Sequence, residues 1–143
     1  MKRFLALASA AVLTLGVAAC RDTTSPGGLL AGSYTLRTIS DQGLPVVVYA
    51  DATLSEAVLG GQITLDRSGN YTNVTTYRDS YTNGSAPYTY DETIYGYWSL
   101  SGDQLTLVDE SDPGNPYYPS YSNGQIIFTA YGNGGAFTEV YSR

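Results

Sequence analysis

The chain has no histidine, one lysine (Lys2), one cysteine (Cys20), one tryptophan and one methionine. Without histidine or a usable lysine, the commonest general bases and nucleophiles are missing, and only Asp, Glu, Ser, Thr and Tyr remain for chemistry. A lone cysteine can form no disulfide within the chain, so the fold must hold by core packing. Positive charge is scarce as well: seven Lys and Arg face thirteen Asp and Glu, for a net charge of −6. Binding to phosphate requires clustered Lys or Arg, which excludes nucleic acid as a partner and disfavours anionic lipid head groups. No apolar run reaches the roughly 20 residues of a membrane-spanning helix, and no helical period is sustained anywhere.

What is present begins at the N-terminus. Lys2 and Arg3 precede an apolar run from Phe4 to Val17, interrupted only by Ser9 and Thr14, which is the pattern of a secretory signal peptide. The following Val17-Ala18-Ala19-Cys20 resembles the lipobox of bacterial lipoproteins, which implies cleavage before Cys20 and lipidation of its thiol. The alternative is an ordinary signal peptide followed by an unmodified cysteine. The expected organisation is a cleaved signal at 1–19, a lipidated N-terminus and tether at 20–31, and one domain at 32–143. Such a protein is extracytoplasmic and anchored to a bacterial membrane through its N-terminal lipid. Arg21, standing where an inner-membrane retention signal would place Asp, favours the outer membrane in a cell with two. The tether carries Thr-Thr-Ser-Pro-Gly-Gly and spans at most about 40 Å. The mature part, Cys20 to Arg143, keeps five arginines against thirteen carboxylates, a net charge of −8; this balance suits solubility more than recognition of a cation.

From Gly32 onward, short runs rich in Tyr, Thr, Val and Ile alternate with Gly, Asn, Asp, Ser and Pro clusters. This pattern predicts strands near 33–40, 45–50, 61–66, 71–80, 88–100, 104–109, 117–122, 125–131 and 136–142. Turn chemistry sits between them at Asp66–Asn70, Ser101–Asp103, Ser122–Gly124 and Gly132–Gly135. Alternation places Ile63, Leu65, Ile94, Trp98, Leu100, Leu105, Leu107, Ile126 and Phe128 on the core side of their strands.

Three blocks carry a resemblance to a family: Gly32-Ser33-Tyr34-Thr35-Leu36, the hairpin Gly61 to Tyr71, and the hairpin Gly96 to Leu107. They resemble the strands of small bacterial lipocalin-like domains, relatives of the calycin barrels, with Tyr34 where true lipocalins carry tryptophan. The resemblance implies an all-β fold, an antiparallel up-and-down barrel of about eight strands. Such a barrel is either filled by side chains or just wide enough for one small ligand. If it is open, inward Tyr34, Leu36, Tyr71, Tyr88, Tyr90 and Trp98 are the candidate ligand-binding residues for a small apolar or lipidic ligand. If it is filled, those side chains are core and the outer face contacts an envelope protein or glycan. Tyr117, Tyr118 and Tyr121 are the aromatic candidates for that role.

Enzymatic activity is not expected. Asp91 and Glu92 are adjacent on a strand and therefore face opposite ways, which is unsuited to paired acid–base work; a hydrolase would need two carboxylates to meet in a cleft. The Asp109–Asn115 loop gathers three carboxylates without the spacing of an EF-hand, and reads as a polar turn rather than a calcium site. Asn73-Val74-Thr75 and Asn83-Gly84-Ser85 match glycosylation sequons, yet read as strand and turn residues. No cofactor or metal is implied.

Overall fold

The structure is a computed structural model that describes residues 26–132 and 135–143. The expected signal peptide, Cys20, most of the tether and the centre of the 132–135 turn lie outside the described residues. A one-turn helix α1 (Pro26–Leu30) is followed by β1 (Gly32–Ile39), β2 (Gln42–Gly43), β3 (Val46–Ala50), β4 (Leu54–Leu65) and β5 (Asn70–Tyr81). Then come β6 (Tyr88–Ser101), β7 (Gln104–Asp109), β8 (Ser120–Ser122), β9 (Gln125–Gly132) and β10 (Gly135–Ser142).

Eight of these strands form one antiparallel wall in the order β7-β6-β5-β4-β1-β10-β9-β8. Neighbours in the wall are neighbours in sequence, except that β10 returns to pair with β1, so the topology is up-and-down. The last seam, between β7 and β8, is held by Leu107 and Tyr117, whose backbones exchange hydrogen bonds of 3.0 and 2.8 Å. The wall is thus a nearly closed barrel, as the resemblance implied.

Local chemistry sets the hairpins. Ser40 and Asp41 both take positive φ in the two-residue turn between β1 and β2, and Asn123 and Gly124 do the same between β8 and β9; that handedness matches the twist of the flanking strands. Trp98 donates its indole N–H to the Asp66 carbonyl at 2.8 Å, tying β6 to the β4–β5 turn.

Two bulges keep apolar side chains inside. In β4 the register to β5 shifts between Val58 and Gly60, so Ile63 and Leu65 face inward below the shift and Val58 and Glu56 above it. In β1 a shift between Leu36 and Thr38 does the same for Leu36 and Ile39. A bulge inserts one residue and reverses the side-chain parity beyond it. Where β1 and β4 diverge, β2 pairs with β1 and β3 with β4, filling the gap.

The core expected from alternation is observed. Ile63, Leu65, Trp98, Leu105, Leu107 and Ile126 are buried, while Ile94, Leu100 and Phe128 pack against them half-buried. Three expectations are corrected. Pro26–Leu30, assigned to the tether, forms a helix whose Leu30 is 1% exposed within the core; an apolar side chain next to an open barrel end is buried rather than left in solvent. β4 begins at Leu54 rather than Gly61, because the bulge interrupts the alternation that would have revealed its first half. The 117–122 strand shrinks to Ser120–Ser122, with Tyr117 reduced to an isolated bridge.

Candidate ligand cavity

The barrel has a plugged floor. Leu30 of α1 enters it, and the Tyr34 hydroxyl donates to the Leu30 carbonyl at 2.6 Å. Arg143 closes the same end: its Nη2 lies 2.7, 2.9 and 3.0 Å from the carbonyls of Leu29, Leu30 and Ala31 and 2.8 Å from the Tyr34 hydroxyl. Its guanidinium also sits 4.8 Å from the Tyr34 ring centre, a cation–π geometry. Burial raises the Tyr34 phenol to about 12, with Tyr121 adding to the shift and Arg143 opposing it. Tyr34, Leu36 and Trp98, three of the expected ligand contacts, are buried in the core and are not among the residues lining the cavity above this floor.

Above that floor the interior is open. A cavity of about 200 Å³ is bounded by Ile63 of β4; Tyr71, Asn73, Thr75 and Tyr77 of β5; Glu92 and Ile94 of β6; Leu107 of β7; Tyr117 at the seam; Phe128 and Thr129 of β9; and Phe137 and Glu139 of β10. Of the six expected contacts, only Tyr71 is on this wall. Tyr90 and Tyr88 continue the inward face of β6 towards the mouth, where Tyr77, Tyr90 and Tyr88 stack with ring centres 5.4 and 5.8 Å apart. The Tyr90 hydroxyl donates to Glu56 at 2.8 Å, and this bond is the main reason its phenol is raised to about 12. Tyr88, on the same inward parity as Tyr90, is 60% exposed at the mouth and is not among the residues lining the cavity.

The polar part of the wall has a consistent sign. Tyr141 donates to Glu139 at 3.1 Å, and the Tyr77 hydroxyl hydrogen-bonds Glu92. Burial, then the nearby Glu92, Glu139 and Glu56, push Tyr77 to about 12. Burial likewise raises Tyr141 far above the ordinary phenol value, and Glu139 adds to the shift. Glu139 itself is raised by burial, against the hydrogen bond from Tyr141. These phenols are thus proton donors whose hydrogens are directed at carboxylates. Asn73 Oδ1 and Asp79 Oδ1 are buried without a hydrogen-bond partner among the described residues. Asp79 pairs across from Glu56 near the mouth.

Among the described residues no arginine lines the cavity, and Arg67 lies in the β4–β5 turn. Arg37 reaches Ser142 at 3.0 Å, Arg143 is in the floor, and Arg78 is exposed on β5 in the parity opposite to Tyr77 and Asp79. Asp91 and Glu92 do face opposite ways: Asp91 accepts from Thr76 at 2.6 Å, and Glu92 lines the cavity. Elsewhere carboxylates are occupied locally. Asp109 accepts from the Ser111 backbone and hydroxyl, and Asp112 from the Asn115 amide, as expected for a polar turn. Asn73, the first sequon residue, points into the barrel; Asn83 accepts from the Ser85 backbone in a turn.

The residues that sequence reasoning missed were reachable by one rule. Tyr71 counted in steps of two gives Asn73, Thr75 and Tyr77, and Trp98 counted back gives Ile94, Glu92 and Tyr90. Polar residues on an inward parity mark a wall that is not simply core.

No family model matches the chain, and no curated protein matches it. Among solved structures it is similar to a mutant of the fluorescent protein UnaG, at 13% identity over 79% of this chain and 94% of that one, with a TM-score of 0.33. A superposition that loose carries no weight here, so the barrel stands on its own strand ladders and the cavity on its own lining residues.

Proposed function

We propose that this protein is a lipid-anchored, extracytoplasmic carrier that holds one small ligand inside its barrel without transforming it. The observation that carries the reading is the interior space itself: about 200 Å³, open at the mouth and walled by both apolar and polar side chains, in a fold whose other end is plugged. A barrel that only needed stability would fill that space, because interiors pack to crystal density and voids are costly. The volume is below the ~300–1,000 Å³ of drug-sized sites. The ligand is therefore compact. Its apolar part fits Ile63, Ile94, Phe128 and Phe137, in keeping with the apolar ligand expected from sequence, while a long acyl chain exceeds the space.

Glu92 and Glu139 do meet the condition set for a hydrolase, two carboxylates in one cavity. The hydroxyls of Tyr77 and Tyr141 already engage them, which suits acceptors held for binding better than a base and acid free to act on water. The alternative of an outer-face module contacting a protein or glycan is favoured by Tyr95 and Tyr97, both more than half exposed on β6, and Tyr118.

The anchor and the carrier are tested separately. Cys20→Ser is expected to abolish acylation and move the protein to the soluble fraction; continued membrane association would sink the anchor. For the carrier, native mass spectrometry of the full chain, purified in mild detergent from a bacterial envelope, is expected to show a reproducible adduct released on denaturation. A bare mass, repeated after incubation with envelope extracts, would shift the reading to the outer face.

A further inference from the structure

The inward-facing carboxylates are distributed over four strands: Glu56 on β4, Asp79 on β5, Glu92 on β6 and Glu139 on β10. Glu92 and Glu139 line the barrel cavity directly, with no arginine among the lining residues. Between them lies Tyr77, whose hydroxyl is engaged by Glu92 and feels Glu139 and Glu56. The Tyr141 and Tyr90 hydroxyls donate to Glu139 and Glu56, so the inward carboxylates are held as acceptors by neutral donors, with no positive charge among the lining residues. Asn73 Oδ1 is buried against the cavity and without a partner among the described residues. A buried acceptor without a donor is unfavourable, and Glu139, half-buried with burial raising its carboxyl, lacks a counter-charge among the lining residues, while Glu92 is exposed at the open side of the same space. The rest of the wall is aromatic or aliphatic: Tyr71, Tyr117, Phe128 and Phe137, with Ile63, Ile94 and Leu107. Aromatic faces attract cations, and apolar walls hold a skeleton.

We infer that the ligand of this cavity is a compact organic cation, a primary or secondary amine on an aromatic or short alkyl skeleton. Its ammonium N–H groups meet Glu92, Glu139 and Asn73 Oδ1, and its skeleton packs against Ile94, Phe128 and Phe137. The inference rests on the carrier reading and names the chemical class that the reading leaves open. Ammonium donors would satisfy the free acceptors and supply the missing charge together. An alcohol would satisfy the acceptors without the charge, and a carboxylic acid would add a further negative charge to a negative interior. The overall acidity of the protein thus acquires a role beyond solubility, as a field that favours entry of cations.

Glu139 supplies a second handle. Tyr141 on its own strand bonds it and Tyr77 of β5 lies near it, Asn73 of β5 and Glu92 of β6 line the same cavity, Glu56 of β4 lies near Tyr77 as well, and burial holds its carboxyl above the ordinary range. The charged form is the one an ammonium pairs with, so amine binding is expected to strengthen as pH rises through that elevated range and then level off while the amine stays protonated.

The test is calorimetric titration of the full chain in detergent, stripped of any native ligand, with three probes of one shape: 2-phenylethylamine, 2-phenylethanol and 3-phenylpropanoate. The amine is expected to bind on the order of tenfold or more tighter than the alcohol, the carboxylate not at all. Glu92→Gln and Glu139→Gln are each expected to weaken the amine by about tenfold and to leave the alcohol unchanged. The unaltered protein should show the rise with pH, a readout that survives if either variant misfolds. Equal or tighter binding of the alcohol, or a flat pH profile, overturns the cation while leaving the carrier standing. If no probe binds, the adduct seen by native mass spectrometry decides: a basic molecule supports the inference, and a neutral or acidic one overturns it. A bare protein overturns the carrier and the inference with it.

Discussion

Gly96→Ala tests whether the β6–β7 ladder and the cavity floor are as tightly set as the geometry requires. A Cβ at Gly96 would clash with the Val108 carbonyl oxygen and lie 2.6 Å from Tyr71 Cε1 and 3.0 Å from the Val108 carbonyl carbon. Carbon–oxygen contacts across a sheet sit near ~3.3–3.6 Å, so the carbonyl must retreat by about 1 Å or more. That oxygen is backbone and cannot rotate away, and a shift of this size stretches the neighbouring β6–β7 hydrogen bonds beyond useful length. Losing about one such bond at ~1 kcal/mol, plus ~1–3 kcal/mol for overpacking against Tyr71, gives a destabilisation of about 3 kcal/mol. For a domain of this size that corresponds to a fall in Tm of roughly 12 °C. Thermal unfolding followed by circular dichroism measures it, with Gly60→Ala as the control: that Cβ meets nothing within 4 Å, and the change is expected to stabilise by about 0.4–1 kcal/mol through the unfolded chain. A Gly96→Ala protein melting within a degree or two of the parent would refute the close approach, and with it the position of Tyr71 in the cavity wall.

Two further outcomes follow from single contacts. Asp66 Oδ1 accepts from the Ser68 backbone and hydroxyl and the Asn70 backbone, and Oδ2 accepts from the Asn70 amide. The Asn70 side chain, then its backbone, leads in holding the Asp66 carboxyl at about 2. Because the folded value is depressed, its stabilisation is complete above the unfolded value near ~4 and is lost as pH falls towards 2. Asp66→Asn should therefore flatten the fall of the urea midpoint between pH 4 and 2, and an unchanged slope would remove the turn from the acid response. Leu30→Ala should cost about 2–5 kcal/mol at neutral pH, the range for a fully buried leucine, and a chain beginning at Gly32 should lose at least as much. An unaltered urea midpoint would return α1 to the tether.

The legible part of the fold was the part carried by local chemistry. Two-residue turns such as Asn123-Gly124 announce themselves because only certain residues tolerate positive φ, and Leu105 and Leu107 sit on one face because strand parity is strict. β4 was half hidden for the opposite reason. Its bulge at Val58–Gly60 reverses parity mid-strand, so Glu56 and Val58 look out of phase with Ile63 and Leu65. Its start was signalled only by Asp51, whose Oδ1 accepts from the Thr53 backbone and hydroxyl and the Leu54 backbone. Of the expected ligand contacts Tyr71 lines the cavity, whereas Tyr34 and Trp98 are packed in the core. Size and polarity suit a large aromatic to a ligand contact, and the same properties let it close a barrel end when a carbonyl lies within reach.

By itself the sequence determined the secondary-structure class, the turn positions, the buried parity of most strands, the acidic balance, and the signal and lipobox pattern from which the anchor is proposed. Each of these depends on neighbours within a few residues. Which inward side chains face empty space and which face one another was decided by the closed wall alone. Glu92 and Glu139 stand 47 positions apart in the chain, and nothing local to either indicates that they share a cavity. Their meeting depends on strand order, on two bulges and on the β10–β1 closure, properties of the whole barrel that set the dielectric, and hence the chemistry, at its centre.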